Sequence, residues 1–181
     1  MLTVVILAAG QSTRFGSQKL LHKLEENDTL FERALRAGGA FETVVVCSED
    51  TLPLAQALHA RAILNREPER GMAHSLHLAN EAIDRERPIL VLPADLLLIE
   101  PHHLADLAAL ADAADVVHPV RSDGTPGHPV YFSPRARALI AQLGDNEPIA
   151  RLRDHPDLTR RSVAIDDDWP YRDVDDPSDL P

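Results

Sequence analysis

This chain of 181 residues has few aromatic residues, one cysteine and no long apolar run. Aromatic residues make up only 4% of it, so its core must be built from leucine, alanine, valine and isoleucine. The single cysteine, Cys47, excludes an intramolecular disulfide, and its apolar surroundings predict a buried thiol in a reducing compartment. No run reaches the roughly 20 apolar residues of a membrane span, and no signal peptide opens the chain. We therefore expect a cytoplasmic protein that does not enter the membrane.

Positive charge is also scarce, with 18 lysines and arginines against 29 acidic residues and a formal net charge of -11. This balance argues against a nucleic-acid partner, which requires clustered positive charge. The chain has only two lysines, Lys19 and Lys23, and both lie within its first two dozen residues. Local positive charge there favours a pocket for a small anionic ligand such as a nucleotide.

The opening stretch reads as a strand, a loop of small residues and a basic turn. Residues 3–7 are apolar and β-branched without alternation, which is typical of a parallel strand buried on both faces. The small residues 8–10 that follow would let a ligand lie directly against the backbone. Exposed amides followed by Arg14 and Lys19 form a suitable cradle for phosphates. The alternative is an ordinary strand-to-helix turn in which both cations are solvated.

Two common nucleotide-binding motifs are excluded by this loop. The dinucleotide fingerprint GxGxxG requires a second glycine two residues after Gly10, where the chain has Ser12. A Walker A loop requires glycine before its lysine and Ser or Thr after it, and Lys19 has neither. A dehydrogenase and a P-loop enzyme are therefore both disfavoured.

Strand and helix patterns alternate along the rest of the chain, which indicates right-handed βαβ units and a mostly parallel sheet. Further strands are predicted at residues 43–47, 62–64, 88–93, 116–120, 130–132 and 160–165. Helices are predicted at residues 30–37, 52–60, 69–83, 101–113 and 134–143. A glycine-rich turn between two strands predicts a hairpin, which makes the sheet mixed. We expect a single α/β domain over residues 1–181, a Rossmann-like three-layer α/β/α sandwich.

Asp95 directly follows the apolar strand at residues 88–93. Open parallel sheets place ligand chemistry at the carboxyl ends of their strands. Mg²⁺ bound to a triphosphate needs only one or two protein carboxylates, so Asp95 is a candidate ligand. Its alternative role is to cap a following turn.

Two further segments carry candidate site residues. Ser75 lies near the start of the predicted helix at residues 69–83, where its hydroxyl can face the loop after the first strand or simply help the helix to start. The acidic tail, residues 166–180, contains Trp169 and Tyr171, which a chain so poor in aromatic residues is not expected to leave exposed. We expect the tail to fold back and bring Asp175 near Asp95.

The segments LAAGQSTRFG with Lys19, ERGMAHSL, LPAD, GHPVYF and DVDDPSDL resemble, in order and spacing, the molybdenum-cofactor nucleotidyltransferases. The likeness covers essentially the whole chain and is greatest to their cytidylyltransferase branch, within a superfamily of nucleotide-diphospho-sugar transferase-like folds. The first loop is shared across the superfamily, whereas GHPVYF together with GMxxSL is specific to this branch. In this family alanine at position 9 goes with CTP and glycine with GTP.

The resemblance implies a role for particular residues. The catalytic set implied is Arg14, Lys19 and Asp95. Nucleotide binding is implied for Leu7, Ala8, Ala9, Gly10, Arg14, Lys19 and Ser75. Acceptor binding is implied for Gly127 and His128, although a structural histidine is an equal alternative. Mg²⁺ is the implied cofactor, and its implied ligands are Asp95 and Asp175.

The implied activity is transfer of CMP from CTP to the phosphate of molybdopterin, with release of pyrophosphate. A molybdoenzyme or its chaperone would receive the product. Two alternatives stay open: GTP or UTP with another acceptor, such as a sugar 1-phosphate or phospholactate, and a non-catalytic module that carries a nucleotide or cofactor. The chain departs from the family beside the metal-binding residue, where Leu96, Leu97 and Leu98 replace the usual residue followed by proline, and Pro93-Ala94 replaces the usual glycine.

Overall fold

A computed structural model describes residues 1–13, 15–24 and 28–180. Within these residues seven strands form one sheet in the order β3-β2-β1-β4-β6-β5-β7. The strands are β1 (Thr3–Ala8), β2 (Glu42–Cys47), β3 (Arg61–Leu64), β4 (Ile89–Pro93), β5 (Val116–Val120), β6 (Val130–Phe132) and β7 (Arg160–Ala164). β6 runs antiparallel to both of its neighbours and the other pairs are parallel. The predicted mixed, mostly parallel sheet is confirmed.

The helices follow the strands in alternation. They are α1 (Leu30–Gly38), α2 (Leu52–Ala57), α3 (Gly71–Ala82), α4 (Pro101–Ala108), α5 (Pro134–Arg137) and α6 (Ala150–Arg153). Short 3₁₀ turns lie at Lys19–Leu21, Pro68–Arg70, Ala111–Ala113, Ile140–Gln142 and Pro177–Asp179. No helix among the residues described is long and apolar enough to cross a membrane.

Side chains on the two faces of the central strands enter two separate cores. Along β1, Val4 and Ile6 pack in the core that includes α1, α4 and the tail. Val5 and Leu7 pack in the other core, with α3 and α5. All six residues of β1 are buried, because helices cover both faces of a parallel strand. The expected three-layer α/β/α class is confirmed, and the assignment of residues 1–181 to one domain stays a prediction.

Three predicted helices end earlier than the sequence indicated, and the first of them, predicted at residues 52–60, ends at Ala57. The helix predicted at residues 101–113 ends at Ala108, and the helix predicted at 134–143 ends at Arg137. Beyond each end the backbone bonds tighten to three-residue spacing, as in Ala113 N–H to the Leu110 carbonyl and Leu143 N–H to the Ile140 carbonyl. Such 3₁₀ turns keep apolar side chains near one face, so a periodic pattern does not distinguish them from a continuing helix.

The start of α1 is fixed by residues that lie close together in the sequence. Thr29 is the residue before the helix, and its hydroxyl accepts a hydrogen bond from Glu32 N–H at 3.1 Å. The Glu32 carboxylate in turn accepts from Thr29 N–H at 3.0 Å. This reciprocal capping box satisfies two amides that the helix itself leaves free. The direction of the chain entering α1 is thereby fixed.

Candidate active site

The candidate site lies where β1 and β4 end side by side in the sheet. Ala94 N–H donates to the Leu7 carbonyl at 3.1 Å, so Asp95 begins its loop directly beside the loop that follows β1. Leu7, Ala8 and Ala9 are buried. Gly10 is exposed, and a Cβ added there would meet nothing within 4 Å. A ligand can therefore approach the backbone at Gly10 closely.

The rest of this loop is held by its own hydrogen bonds. The Ser12 hydroxyl donates to Gln18 Oε1 at 2.8 Å and accepts from Lys19 N–H at 3.2 Å. Gln18 Nε2 donates to the Gly10 carbonyl at 3.1 Å. Ser12 has a φ of 52°, which places this non-glycine residue in the left-handed region. Arg14, the predicted phosphate-binding guanidinium, lies outside the described residues.

Lys19 is buried at the centre of the site. Its Nζ donates to Asp95 Oδ2 at 2.9 Å, to Asp175 Oδ1 at 3.5 Å and to the Val174 carbonyl. An ammonium carries three protons, and these three oxygens account for all of them. A phosphate contact from Lys19 therefore requires the ammonium to exchange one of these partners.

The tail supplies two carboxylates to the surroundings of Lys19 and Asp95. Asp175 was predicted from the sequence, and Asp173 was not. Val174 N–H donates to the Asp95 carbonyl at 3.0 Å, and the Val174 side chain is fully buried. Asp173 forms an isolated antiparallel bridge with Leu96. The pKa of Asp173 is raised, first by desolvation and then by the negative charges of Asp95 and Asp175. Because neighbours of a buried residue in extended backbone face the opposite way, the Asp-Val-Asp order was an available signal for both acids.

Asp95 and Asp175 present carboxylate oxygens, which are the ligands that a hard divalent cation prefers. Both carboxylates already bind one cation, the Lys19 ammonium. Among the residues described, no group of three or more histidines, cysteines and carboxylates is arranged to hold a metal ion. The two carboxylates match the mode in which Mg²⁺ keeps only one or two protein ligands and completes its shell with phosphates and water.

The unusual leucine run after Asp95 is a structural loop. Leu96 and Leu97 are buried, and Leu98 lies at the surface. Leu97 N–H donates to the Arg172 carbonyl at 2.9 Å, and the Leu97 carbonyl accepts from Arg33 at 2.6 Å. These bonds join the loop to the tail on one side and to α1 on the other. The departure from the family pattern therefore places apolar side chains in the core and leaves Asp95 at the end of its strand.

A cavity of about 270 Å³ opens beside Asp95. Its lining includes Met72, Asp95, Pro126, His128, Tyr171 and Asp173. A cis peptide bond joins His128 to Pro129, and burial lowers the pKa of the His128 imidazole. Nδ1 of His128 is buried with no hydrogen-bond partner among the residues described. Gly127 is buried beside it, and a Cβ there would lie 2.7 Å from both Pro170 Cβ and Tyr171 Cε1.

Ser75 lies in α3 and not in its first turn. The helix begins at Gly71, and no side chain caps its start. The buried Ser75 hydroxyl accepts from Asn65 Nδ2 at 3.0 Å, and Asn65 is fully buried at the end of β3. Asn65 Oδ1 accepts from Glu67 N–H at 2.9 Å. The suggestion that Ser75 only helps the helix to start is wrong, because its partner is a side chain of another element.

A larger cavity of about 550 Å³ lies between α3 and α5 and contains none of the predicted site residues. Its polar lining includes His77, Arg85 and Arg135. The smaller cavity is the better candidate because it adjoins Asp95 at the carboxyl end of β4. Ligand chemistry in open α/β sheets is found at that edge.

Sequence comparison finds relatives of this chain among known proteins. The protein named Bifunctional protein GlmU from Xanthobacter autotrophicus is 36% identical over 173 residues, which cover 91% of this chain and 37% of that protein. The chain spans between 20% and 38% of the length of the curated relatives it matches.

Solved structures share the fold. Rv0371c from Mycobacterium tuberculosis superimposes with a TM-score of 0.85 at 24% identity, over 98% of this chain and 94% of that one. The same protein has been solved in complex with manganese. Molybdopterin-guanine dinucleotide biosynthesis protein A from Archaeoglobus fulgidus superimposes with a TM-score of 0.76 at 20% identity, over 98% and 94% of the two chains.

The family model described as MobA-like NTP transferase domain matches residues 4–161. This range includes all of β1 after Thr3, the small-residue loop, Lys19, Asp95 and the Gly127-His128 pair. With the sheet order and the site at its carboxyl edge, the match shows that the chain belongs to the MobA-like NTP transferase family and has a nucleotidyltransferase fold.

Proposed function

We propose that this protein transfers CMP from CTP to the terminal phosphate of molybdopterin, with release of pyrophosphate. The observation that carries the proposal is the group formed by Lys19, Asp95 and Asp175 beside the small-residue loop after β1. A cation and two carboxylates at the carboxyl edge of a parallel sheet suit a metal-assisted reaction of phosphates.

The nucleotide half of the site would be the loop after β1. In this proposal Leu7, Ala8, Ala9 and Gly10 hold the base and ribose through backbone groups, and Ser75 lies by the base. Open space at Gly10 supports a close approach by the ligand. Ala9 is the residue on which the choice of CTP rests. Arg14 would bind the phosphates through its planar guanidinium, and Lys19 would bind them as a compact positive charge.

Mg²⁺ is the proposed cofactor, with Asp95 and Asp175 as its protein ligands. The bound cation would neutralise negative charge on the phosphates. Lys19 must release at least one of its three acceptors when the phosphates arrive, because its three protons are already committed. The ammonium would then turn toward the phosphates and remain in the same group of charges.

The reaction needs no general base. An oxygen of the acceptor phosphate attacks the α-phosphorus of CTP in line, a new P–O bond forms, and the bond to the pyrophosphate oxygen breaks. The attacking phosphate is already ionised, so no proton has to be removed from it. Positioning and charge neutralisation by Lys19 and Arg14 would supply the rate enhancement.

The acceptor half would be the cavity beside Gly127 and His128. Nδ1 of His128 has no hydrogen-bond partner in the part of the chain that the structure describes, which supports a polar contact with an incoming group, because buried polar atoms are normally paired. The structural likeness to the Archaeoglobus protein, whose name includes molybdopterin-guanine dinucleotide biosynthesis, supports the choice of molybdopterin. The product would pass to a molybdoenzyme or its chaperone in the cytoplasm.

A panel assay tests the substrates. Purified protein is incubated with Mg²⁺, each of CTP, GTP and UTP, and each of molybdopterin, a sugar 1-phosphate and phospholactate, and pyrophosphate release is followed. The proposal expects turnover with CTP and molybdopterin. Turnover only with another pair would refute the substrate assignment and keep the reaction class.

Substitution of Asp95 tests whether the protein is an enzyme or a non-catalytic carrier. Asp95→Ala is expected to lower turnover by orders of magnitude while the circular dichroism spectrum stays native. Asp123→Ala, in an exposed turn, is the matched control and is expected to retain turnover. Unchanged activity in Asp95→Ala would remove Asp95 from the metal site.

A further inference from the structure

The segment of residues 169–175, here called the strap, carries two site carboxylates without belonging to any helix or strand. It crosses the loops of residues 95–97 and 127–128 and bonds to both. His128 N–H donates to the Pro170 carbonyl at 2.9 Å, and Leu97 N–H donates to the Arg172 carbonyl at 2.9 Å. A segment without regular structure depends on such long-range contacts for its position.

One end of the strap is held by a ring stack. Trp169, the only tryptophan, is 8% exposed and lies parallel to the His103 imidazole, with centroids 4.0 Å apart and an interplanar angle of 4°. His103 belongs to α4 and is itself fixed, because its Nδ1 accepts from Glu100 N–H at 3.1 Å. The stack therefore ties the strap to a helix whose start is capped.

The middle of the strap is closely seated. A Cβ on Gly127 would lie 2.7 Å from Pro170 Cβ and 2.9 Å from the Pro170 carbonyl oxygen. The Tyr171 hydroxyl donates to the Ile165 carbonyl at 2.8 Å, and Arg121 lies over the Tyr171 ring at 4.1 Å. The contacts leave little room to shift the strap along its length. The stack at Trp169 and these middle contacts therefore act together to fix the carboxylates four and six residues later.

We propose that His103 is a positioning residue for the active site, which acts by stacking on Trp169 and thereby fixes the strap that carries Asp173 and Asp175. The inference rests on the proposed function, because the carboxylates matter for catalysis only if they hold the metal and face the substrates. His103 touches neither Lys19 nor Asp95 in the contacts of the described residues, so its effect is transmitted through the strap.

Two substitutions of His103 separate the stack from the cap. His103→Ala removes both the ring and the acceptor for Glu100 N–H, whereas His103→Phe removes the acceptor and keeps a ring. Ile140→Val, in the core on the other face of the sheet, is a control for general loss of stability. Hydrogen exchange is measured at the Leu97, Val174 and His128 amides, with the β2 amides as internal reference.

The free energy of an aromatic stack of this kind corresponds to about a two- to tenfold change in an equilibrium constant. In His103→Ala, exchange at the three strap-linked amides is expected to accelerate by about that factor, and binding of Mn²⁺ alone to weaken similarly. His103→Phe is expected to restore both, and Ile140→Val to change neither relative to the β2 amides. Unchanged exchange in His103→Ala, or equal acceleration in His103→Phe, would overturn the proposal.

The two proposals fail in different ways. Wild-type protein that neither binds Mn²⁺ nor transfers a nucleotide would refute the proposed function, while exchange at the strap-linked amides still decides whether His103 anchors the strap. Wild-type protein that does both, with His103→Ala equal to it in Mn²⁺ affinity and exchange, would refute only the role of His103.

Discussion

Lys19 and Asp95, which lie 76 positions apart in the chain, form an ion pair with Nζ 2.9 Å from Oδ2. The exposed fractions of the two side chains are 10% and 24%, so the pair is largely shielded from water. Asp175 Oδ1 lies 3.5 Å from the same ammonium. One lysine therefore pairs with two carboxylates that belong to distant parts of the chain.

Lys19→Met is expected to lower the free energy of unfolding by about 1–3 kcal/mol, because it removes the ammonium that pairs with the largely buried Asp95 carboxylate. Nucleotide transfer is expected to fall at least about 100-fold, since a positive charge near the phosphates is lost. Urea denaturation and a pyrophosphate release assay measure the two effects.

Lys23→Met is the matched control, since Lys23 is the only other lysine and is exposed. Its effect on stability is expected to stay within about 0.5 kcal/mol, as for most surface substitutions. Equal losses of activity in the two variants would contradict a specific role for Lys19.

Arg137 is expected to be a large single contributor to stability, although it is far from the proposed chemistry. Its side chain is 2% exposed and donates to Asn80 Oδ1 at 2.9 Å, the Asp84 carbonyl at 2.6 Å and the Ile83 carbonyl at 3.1 Å. Asn80 lies in the last turn of α3 and Ile83 and Asp84 directly follow the helix, where backbone carbonyls lack helical partners of their own. Arg137→Leu is expected to cost about 3 kcal/mol or more, because it leaves several buried acceptors unpaired.

The neighbouring Arg135→Leu serves as the control for Arg137. Its guanidinium is 63% exposed and pairs with Asp115 at 3.0 Å, so its loss is expected to cost no more than about 1 kcal/mol. Denaturant midpoints give both values. A smaller loss for Arg137→Leu than for Arg135→Leu would contradict the assignment.

Because His118 is buried, we expect the free energy of unfolding to fall in mild acid. His118 is 6% exposed, and its Nδ1–H donates to the Pro119 carbonyl at 2.8 Å while Nε2 accepts from Ser162 at 3.3 Å. Burial lowers the pKa of His118 below its usual 6.5. The unfolded chain then binds more protons than the folded one below that pH. The contribution of neutral His118 to the free energy of unfolding is complete above about pH 6.5. It is lost as the pH falls toward the lowered pKa of His118 in the folded protein, by at most about 1.4 kcal/mol per pH unit.

Melting temperatures between pH 7.5 and 5.0 measure this dependence. His118→Asn is expected to be less stable at pH 7.5 and to show a shallower decline in acid. His59→Asn, at an exposed position whose φ of 55° asparagine tolerates, is the matched control and is expected to keep the wild-type slope. A steeper decline in His118→Asn would contradict the assignment.

Most elements were predictable because their signals are local. The apolar run of β1 and the turn before β6 are each contained in a few consecutive residues, and both were predicted. The helix ends after Ala108 and Arg137 were missed, because a 3₁₀ turn preserves the apolar pattern of the helix it follows. Asp173 was missed because its significance depends on Asp95 and Asp175 lying nearby.

The sequence by itself determined the α/β class, the mixed parallel sheet and the nucleotidyltransferase resemblance, since periodicity and motif spacing are properties of the chain alone. The tertiary structure decided what those residues touch. It showed that the three protons of Lys19 are committed to the end of β4 and the tail, and that the leucines after Asp95 are core residues. Only the fold brings Trp169 onto His103. Burial and charge pairing depend on contacts between segments far apart in the chain, and no local pattern records which segments meet.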